Sequence, residues 1–197
     1  MNKKITIILL LKTDEIEKNQ QSLAKEFDMQ NSLASFASVE KFLHALGSKY
    51  LKNLFAKEYK EDYDFFNISH SREFVCMAIS QDKIGVDIEK NSRFCDEFGR
   101  LKVNFIKRIA SNEESSCVST EKDLCILWTL KESLLKCLSV GIDRALASVP
   151  ALPIGIKMYE GLPFFTKYFS LPSYTLSIAI QTPSPLAIQL KNVEIEK

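Results

Sequence analysis

An α+β fold made of two similar halves, each a small, mainly antiparallel sheet packed on a long helix, is what this sequence predicts. Three observations carry the expectation. Segments 38–55 and 123–140 repeat apolar residues at the three-and-four spacing that makes one face of a helix. Short apolar runs near 74–80, 83–89, 164–169, 174–181 and 186–195 read as strands. Finally, "FVCMAISQDKIGVDIEK" can be laid on "YTLSIAIQTPSPLAIQLKN" as strand, turn, strand, with Ala78 and Ile79 over Ala179 and Ile180 and Val86 over Ile188. That is a weak internal repeat, and two such halves would enclose one acidic site.

In chain order, "MNKKITIILLLKTD" has two lysines before an apolar run, as signal peptides do. The run Ile5 to Leu11 is short, ends at Lys12 and leads into acidic sequence without a small-residue cleavage site, so it reads as a first core strand. A polar, helical or irregular stretch comes next. The helix at 38–55 places Val39, Phe42, Leu43, Leu46, Tyr50, Leu51 and Leu54 on one face, with Ser38 as its N-cap. "EYKEDYD" is a polar connector. "FFNISHSREFVCMAISQDKIGVDIEK" reads as a short strand, a turn through Ser69 to Glu73, and a hairpin of 74–80 with 83–89. Residues 91–122 read as loop, a helix around 97–109, and more loop. The second strong helix at 123–140 precedes a proline-bearing segment, 149–163, and the closing strands.

The chain of 197 residues is 46% hydrophobic and carries a formal net charge of +1, which gives no general reason to expect nucleic acid or a membrane surface as partner. No stretch is long and apolar enough to span a bilayer. Five cysteines, widely spaced and with no C-x-x-C, suggest neither a disulfide framework nor zinc and fit a reducing cytoplasm. Six glycines form neither a dinucleotide fingerprint nor a phosphate-cradling loop, so side chains must hold any bound phosphate. Two histidines, His44 and His70, exclude a multi-histidine metal site.

The chemistry starts from "KIGVDIEK". Alternation turns Ile84, Val86 and Ile88 to one side and Asp87 and Glu89 to the other. Two neighbouring carboxylates repel unless water, a cation or a basic partner offsets them. In "WTLKESLLKCLSVG", Glu132 and Lys136 lie four apart on one strip. They form either a surface ion pair or the rest of an acidic site, and a third carboxylate facing Asp87 and Glu89 would suit Mg²⁺. His70, between Ser69 and Ser71, is either structural or a donor to phosphate. No G-x-S-x-G surrounds either serine, which argues against a serine nucleophile in this chain.

Taken in order, "FNISHS", "IGVDIEK" and "WTLKESLLK" resemble the three signature blocks of the Sfp-type 4′-phosphopantetheinyl transferases, over about Phe66 to Gly141. The resemblance implies a pseudo-dimer, here with halves at 1–90 and 91–197, and an active site in the cleft between them. It implies transfer of the 4′-phosphopantetheine arm of coenzyme A to a serine of an apo acyl or peptidyl carrier protein, releasing adenosine 3′,5′-bisphosphate. Position by position, Asp87, Glu89 and Glu132 would hold Mg²⁺, and His70 and Lys136 would contact the phosphates. Ser69 and Lys131 would be further contacts, as would Lys60 or Lys57 in place of a missing Gly-Lys-Pro lysine. The general base would be Glu132, a water on the metal, or Glu114, which ends "KRIASNEE" where the family has a basic and aromatic segment. Ser139 stands where the family often has glycine. The halves in one chain favour a monomer. The carrier would serve fatty acid, polyketide or nonribosomal peptide synthesis. A noncatalytic module that binds coenzyme A or carrier domains is the alternative.

Overall fold

A computed structural model describes residues 5–141 and 146–195; the opening residues 1–4, with the lysines of the signal-like start, lie outside it. In chain order the elements are β1 (Ile5–Lys12), α1 (Thr13–Lys18), α2 (Gln20–Glu26), α3 (Val39–Glu58), β2 (Phe65–Ser71), β3 (Phe74–Ser80), β4 (Ile84–Lys90), α4 (Val103–Ile109), α5 (Asn112–Ser116), α6 (Glu121–Cys137), β5 (Gly155–Tyr159), β6 (Leu162–Leu171), β7 (Tyr174–Ile180) and β8 (Ala187–Val193). The strands form two four-stranded sheets, ordered β2-β3-β1-β8 and β4-β7-β6-β5. All pairings are antiparallel except β1 with β8.

Strand alternation builds the layers. On β1 and β3, Ile7, Leu9, Leu11, Val75, Met77 and Ile79 pack with Phe42, Leu46 and Leu51 of α3. Their alternate neighbours Ile8, Leu10, Cys76 and Ala78 face the other way, onto Ile84, Val86 and Ile88 of β4 and Leu176, Ile178 and Ile180 of β7. The far face of the second sheet carries Phe164 and Ala179 against Leu124, Leu127, Leu134 and Leu135 of α6. The order is therefore helices, sheet, sheet, helix. Ser38 caps α3 as expected, its Oγ accepting from Lys41 N, whereas α6, expected over 123–140, runs from Glu121 to Cys137 behind a capping box of Thr120 and Asp123.

Three sequence expectations need correction. Segments 74–80 and 83–89 are both strands but not a hairpin. Strand β3 is bonded on its two edges by β1 and β2, so β4 crosses to the second sheet and pairs with β7, while β8 crosses back to β1. The proline-bearing segment contains β5, whose pattern is inverted: Ile156 and Met158 are exposed and Lys157 is buried. The helix expected around 97–109 begins only at Val103, because the Asp96 carboxylate collects Phe98 N, Arg100 N and Arg100 Nε into a turn.

Glycine is required at Gly85, where α6 lies directly on β4. A Cβ there would stand 2.0 Å from Ser133 O and 2.4 Å from Cys137 N, both backbone atoms. Gly85→Ala is expected to force helix and strand apart and to cost about 2–3 kcal/mol in a denaturant titration. A midpoint unchanged from wild type would show that the contact is looser than these distances imply.

Candidate active site

The site lies where the first sheet ends at β2 and the second begins at β4. These edges approach without forming a ladder, and side chains of β2 bridge them instead. Asn67 Oδ1 accepts from Val86 N at 3.0 Å, and Ser69 Oγ accepts from Ile88 N at 3.4 Å. Ser69 Oγ donates to Asp87 Oδ1 and Ser71 Oγ to Glu89 Oε2, each at 2.8 Å. Alternation thus explains the block: Asn67, Ser69 and Ser71 face β4, while Phe66 stacks on Phe55 and His70 stacks on His44 of α3 with ring centroids 4.4 Å apart. The turn expected through Ser69 is only Arg72 and Glu73, since β2 runs to Ser71.

Helix α6 adds the other half of the site. Lys136 Nζ donates to Asp87 Oδ1 at 2.6 Å, Ser69 Oγ at 3.1 Å and Val86 O at 3.2 Å. Its three protons are thereby all used. One turn earlier, Glu132 is buried, and burial, then the Asp87 charge, push its carboxyl above the ordinary carboxylate range. Asp87 Oδ2 and Glu132 Oε1 are both buried without a hydrogen-bond partner. After α6, Ser139 adopts a left-handed conformation at φ 57°, the geometry glycine favours.

The three carboxylates expected to share a metal do not all converge. Asp87 and Glu132 interact, but Glu89 turns to Ser71 and to the Arg93 guanidinium. Among the described residues, no three Asp, Glu, His or Cys side chains form a ligand group. Hard carboxylate oxygens and two buried orphan atoms nevertheless fit a divalent cation between Asp87 and Glu132.

Next to Glu89 and Ser71 opens a cavity of about 1060 Å³. Its wall carries Lys41, Arg72, Lys90, Arg93 and Lys102 with both histidines, against Glu40, Glu73 and Glu89. Such a surface suits a multiply charged anion. His44 Nε2 donates to Arg72 O at 2.9 Å. Burial, then the charges of His44 and Lys136, hold His70 below its ordinary value, which favours the neutral imidazole.

Glu114, Lys131 and Lys60 are not brought to this site, and their expected roles are corrected. Lys131 is fully buried and donates to Glu114 Oε2 at 2.7 Å and to the carbonyls of Leu146 and Val149. Glu114 also accepts from Ser111 N and Ala151 N, at 3.0 and 2.8 Å. Burial alone would raise its carboxyl, but these bonds, led by Lys131, hold it low. Lys60 follows the C-terminus of α3, whereas Lys41 and His44 line the cavity near its start; a helix of 20 residues spans about 30 Å. Arg93, Asn67 and Ser71 were missed by the sequence reading, although period-two alternation in "FNISHS" was a usable signal for the last two.

A second buried lysine flanks Glu114. Lys157 donates to the carbonyls of Pro150 and Ala151, and burial pulls its ammonium down to about 8. The folded chain then binds fewer protons than the unfolded one between about 8 and the ordinary lysine value of 10.5, so stability should rise with pH across that window. The melting temperature of wild type, measured relative to Lys157→Met, is expected to climb from about pH 8 to pH 10. A constant difference would refute the shift.

A profile of the 4′-phosphopantetheinyl transferase superfamily matches residues 83–170, the span holding β4, α6 and the carboxylates. The chain is 35% identical over 95 residues to 4′-phosphopantetheinyl transferase gsp of Aneurinibacillus migulanus, a match covering 46% of this chain and 38% of that protein. It is 29% identical over 136 residues to 4′-phosphopantetheinyl transferase ffp of Bacillus subtilis, covering 60% and 55% respectively. The matches thus span little more than half of these relatives at most. The profile lies on the acidic strand and the helix that faces it, so over this span the chain is similar to the 4′-phosphopantetheinyl transferase superfamily.

Proposed function

We propose that this protein moves the 4′-phosphopantetheine arm of coenzyme A to a serine hydroxyl of an apo acyl or peptidyl carrier protein, releasing adenosine 3′,5′-bisphosphate, with Mg²⁺ held by Asp87 and Glu132 and, once free of Arg93, by Glu89. The supporting observation is the pair of buried, unpartnered oxygens of Asp87 and Glu132, with Glu89, two residues along β4 from Asp87, lining a cavity that carries five basic side chains. The similarity to 4′-phosphopantetheinyl transferases points the same way.

The cation would offset the negative charge that develops on diphosphate oxygens as the carrier serine attacks. The chain supplies the rest. Ser69 and Lys136 fix the Asp87 carboxylate, and the cationic wall binds and orients the nucleotide end of coenzyme A. Neutral His70 offers a ring N–H to a phosphate oxygen. Glu132 or a water on the metal would take the proton from the serine hydroxyl. Residues 1–90 and 91–197 would act as two halves of one monomer, joined where β4 pairs with β7 and β1 with β8. All five cysteines are free thiols, in keeping with a reducing cytoplasm; among the described residues no helix is long and apolar enough to cross a membrane.

The test is to incubate the protein with coenzyme A, Mg²⁺ and a panel of apo carriers from fatty acid, polyketide and peptide synthesis, and to weigh each carrier by mass spectrometry. A phosphopantetheine-sized gain supports the transferase. Coenzyme A or carrier binding with no gain on any carrier would replace it with a noncatalytic binding module.

A further inference from the structure

Arg93 belongs to no signature block, yet it touches the site from three sides. It lies in the 3-10 turn that comes after β4, and its Nη1 is ion-paired with Glu89 Oε1. Its guanidinium stands 5.5 Å from the centroid of the Trp128 ring and 5.9 Å from that of Phe94. It forms part of the cavity wall with Arg72, Lys90 and Lys102. Its side chain is 52% exposed, whereas that of Glu89 is 11% exposed. The buried partner of this pair is thus held in place and the other has room to move.

Ser71 on Oε2 and Arg93 on Oε1 engage both oxygens of Glu89, and the arginine already supplies the positive charge that a cation would bring. A divalent cation bound at Glu89 would stand beside the guanidinium, and the repulsion between the two positive charges favours release of the arginine when the metal binds. An arginine displaced from Glu89 still faces a cavity suited to an anion, and its planar fork matches phosphate oxygens in a two-point contact. The indole face of Trp128 gives the charged group a resting surface along the way.

We propose that Arg93 is an exchange residue: it neutralises Glu89 while the site lacks a metal, and shifts to the anionic oxygens of the bound diphosphate when a divalent cation takes Glu89. This rests on the proposed reading that a cation and a diphosphate meet here. Cation and coenzyme A then favour each other's binding partly through Arg93, and the coupling runs equally in both directions. The charge of Arg93 also acts on Glu132, opposing the effect of burial there, so removal of Arg93 alters both carboxylates.

The experiment titrates Mn²⁺ into the full-length protein, following free Mn²⁺ by electron paramagnetic resonance, and separately measures coenzyme A binding by calorimetry with Mn²⁺ present. Wild type, Arg93→Gln and Arg93→Lys are compared, with melting curves to confirm folding. Arg93→Gln is expected to bind Mn²⁺ alone about fivefold or more tightly than wild type, and coenzyme A at least about tenfold more weakly. Arg93→Lys, which keeps the charge but not the fork, should hold Mn²⁺ as wild type does and bind coenzyme A more weakly; it carries the test if the glutamine variant does not fold. Wild-type protein that binds both ligands, with Mn²⁺ affinity unchanged in Arg93→Gln or coenzyme A affinity unchanged in Arg93→Lys, overturns the exchange and leaves the transferase reading intact. Wild-type protein that binds neither ligand overturns that reading, and the exchange with it.

Discussion

Asparagine in place of Asp87 is expected to slow carrier modification by about a thousandfold or more, the scale seen when one preorganised electrostatic contact is removed from a reacting centre. The substitution keeps the shape of the side chain and an oxygen for Ser69 and Lys136 to bond. It removes the negative charge that the proposed cation requires, and it leaves the Lys136 ammonium without its counterion. Lys136 retains Ser69 Oγ and Val86 O and is 29% exposed at its side chain. The cost in stability should therefore stay near 1–2 kcal/mol, roughly below that of breaking a fully buried pair. Initial rates by mass spectrometry, alongside melting curves, separate the two effects. A rate within about tenfold of wild type would remove Asp87 from the reaction.

The largest effect on stability is expected from Lys131→Met. This lysine is fully buried, its charge is matched by Glu114, and its remaining protons go to two carbonyls of the 146–149 turn. Methionine fills much of the same space but leaves a buried carboxylate without its cation, a loss of about 3–5 kcal/mol. For a chain of this size that corresponds to a fall in melting temperature of roughly 6–20 °C. The double variant Lys131→Met with Glu114→Gln should recover a substantial part, because no charge then remains unpaired. Glu114 is held low in the folded state, so its contribution is present above the ordinary carboxylate value and disappears only as the pH falls through its depressed one. The acid limb of the stability profile should be correspondingly shallower in the double variant. A single variant as stable as wild type would show that the pair contributes nothing.

What the sequence disclosed came from what periodicity can encode. The two long helices were legible because the apolar spacing, and for α3 the Ser38 cap, are local. The shared face of Asp87 and Glu89 was legible because strand alternation is local too. Which strands pair was not: β3 and β4 are separated by a turn short enough for a hairpin, and nothing within either strand says that both edges of β3 are already taken by β1 and β2. The site divided in the same way. Glu132 and Lys136 could be placed beside the acids only through the resemblance, whereas Gly85, where helix backbone presses on strand backbone, supplies the physical reason they come close. Lys131 and Glu114 illustrate the opposite error. Their charges suggested reactivity, but three-dimensional packing made them partners of each other, and no pattern in "KRIASNEE" or "WTLKES" distinguishes a buried ion pair from a ligand contact.

The parallel pairing of β1 with β8 joins stretches from opposite ends of the chain. During synthesis the outer edge of β1 must wait, unpaired, until residues 187–193 have emerged from the ribosome, and β4 likewise waits for β7. Such long-range closure is slow to form and exposes sticky backbone to other chains in the meantime. Nascent copies are consequently most vulnerable to clumping before the last strand arrives, so a shortened message or stalled translation would yield an insoluble product rather than a working half.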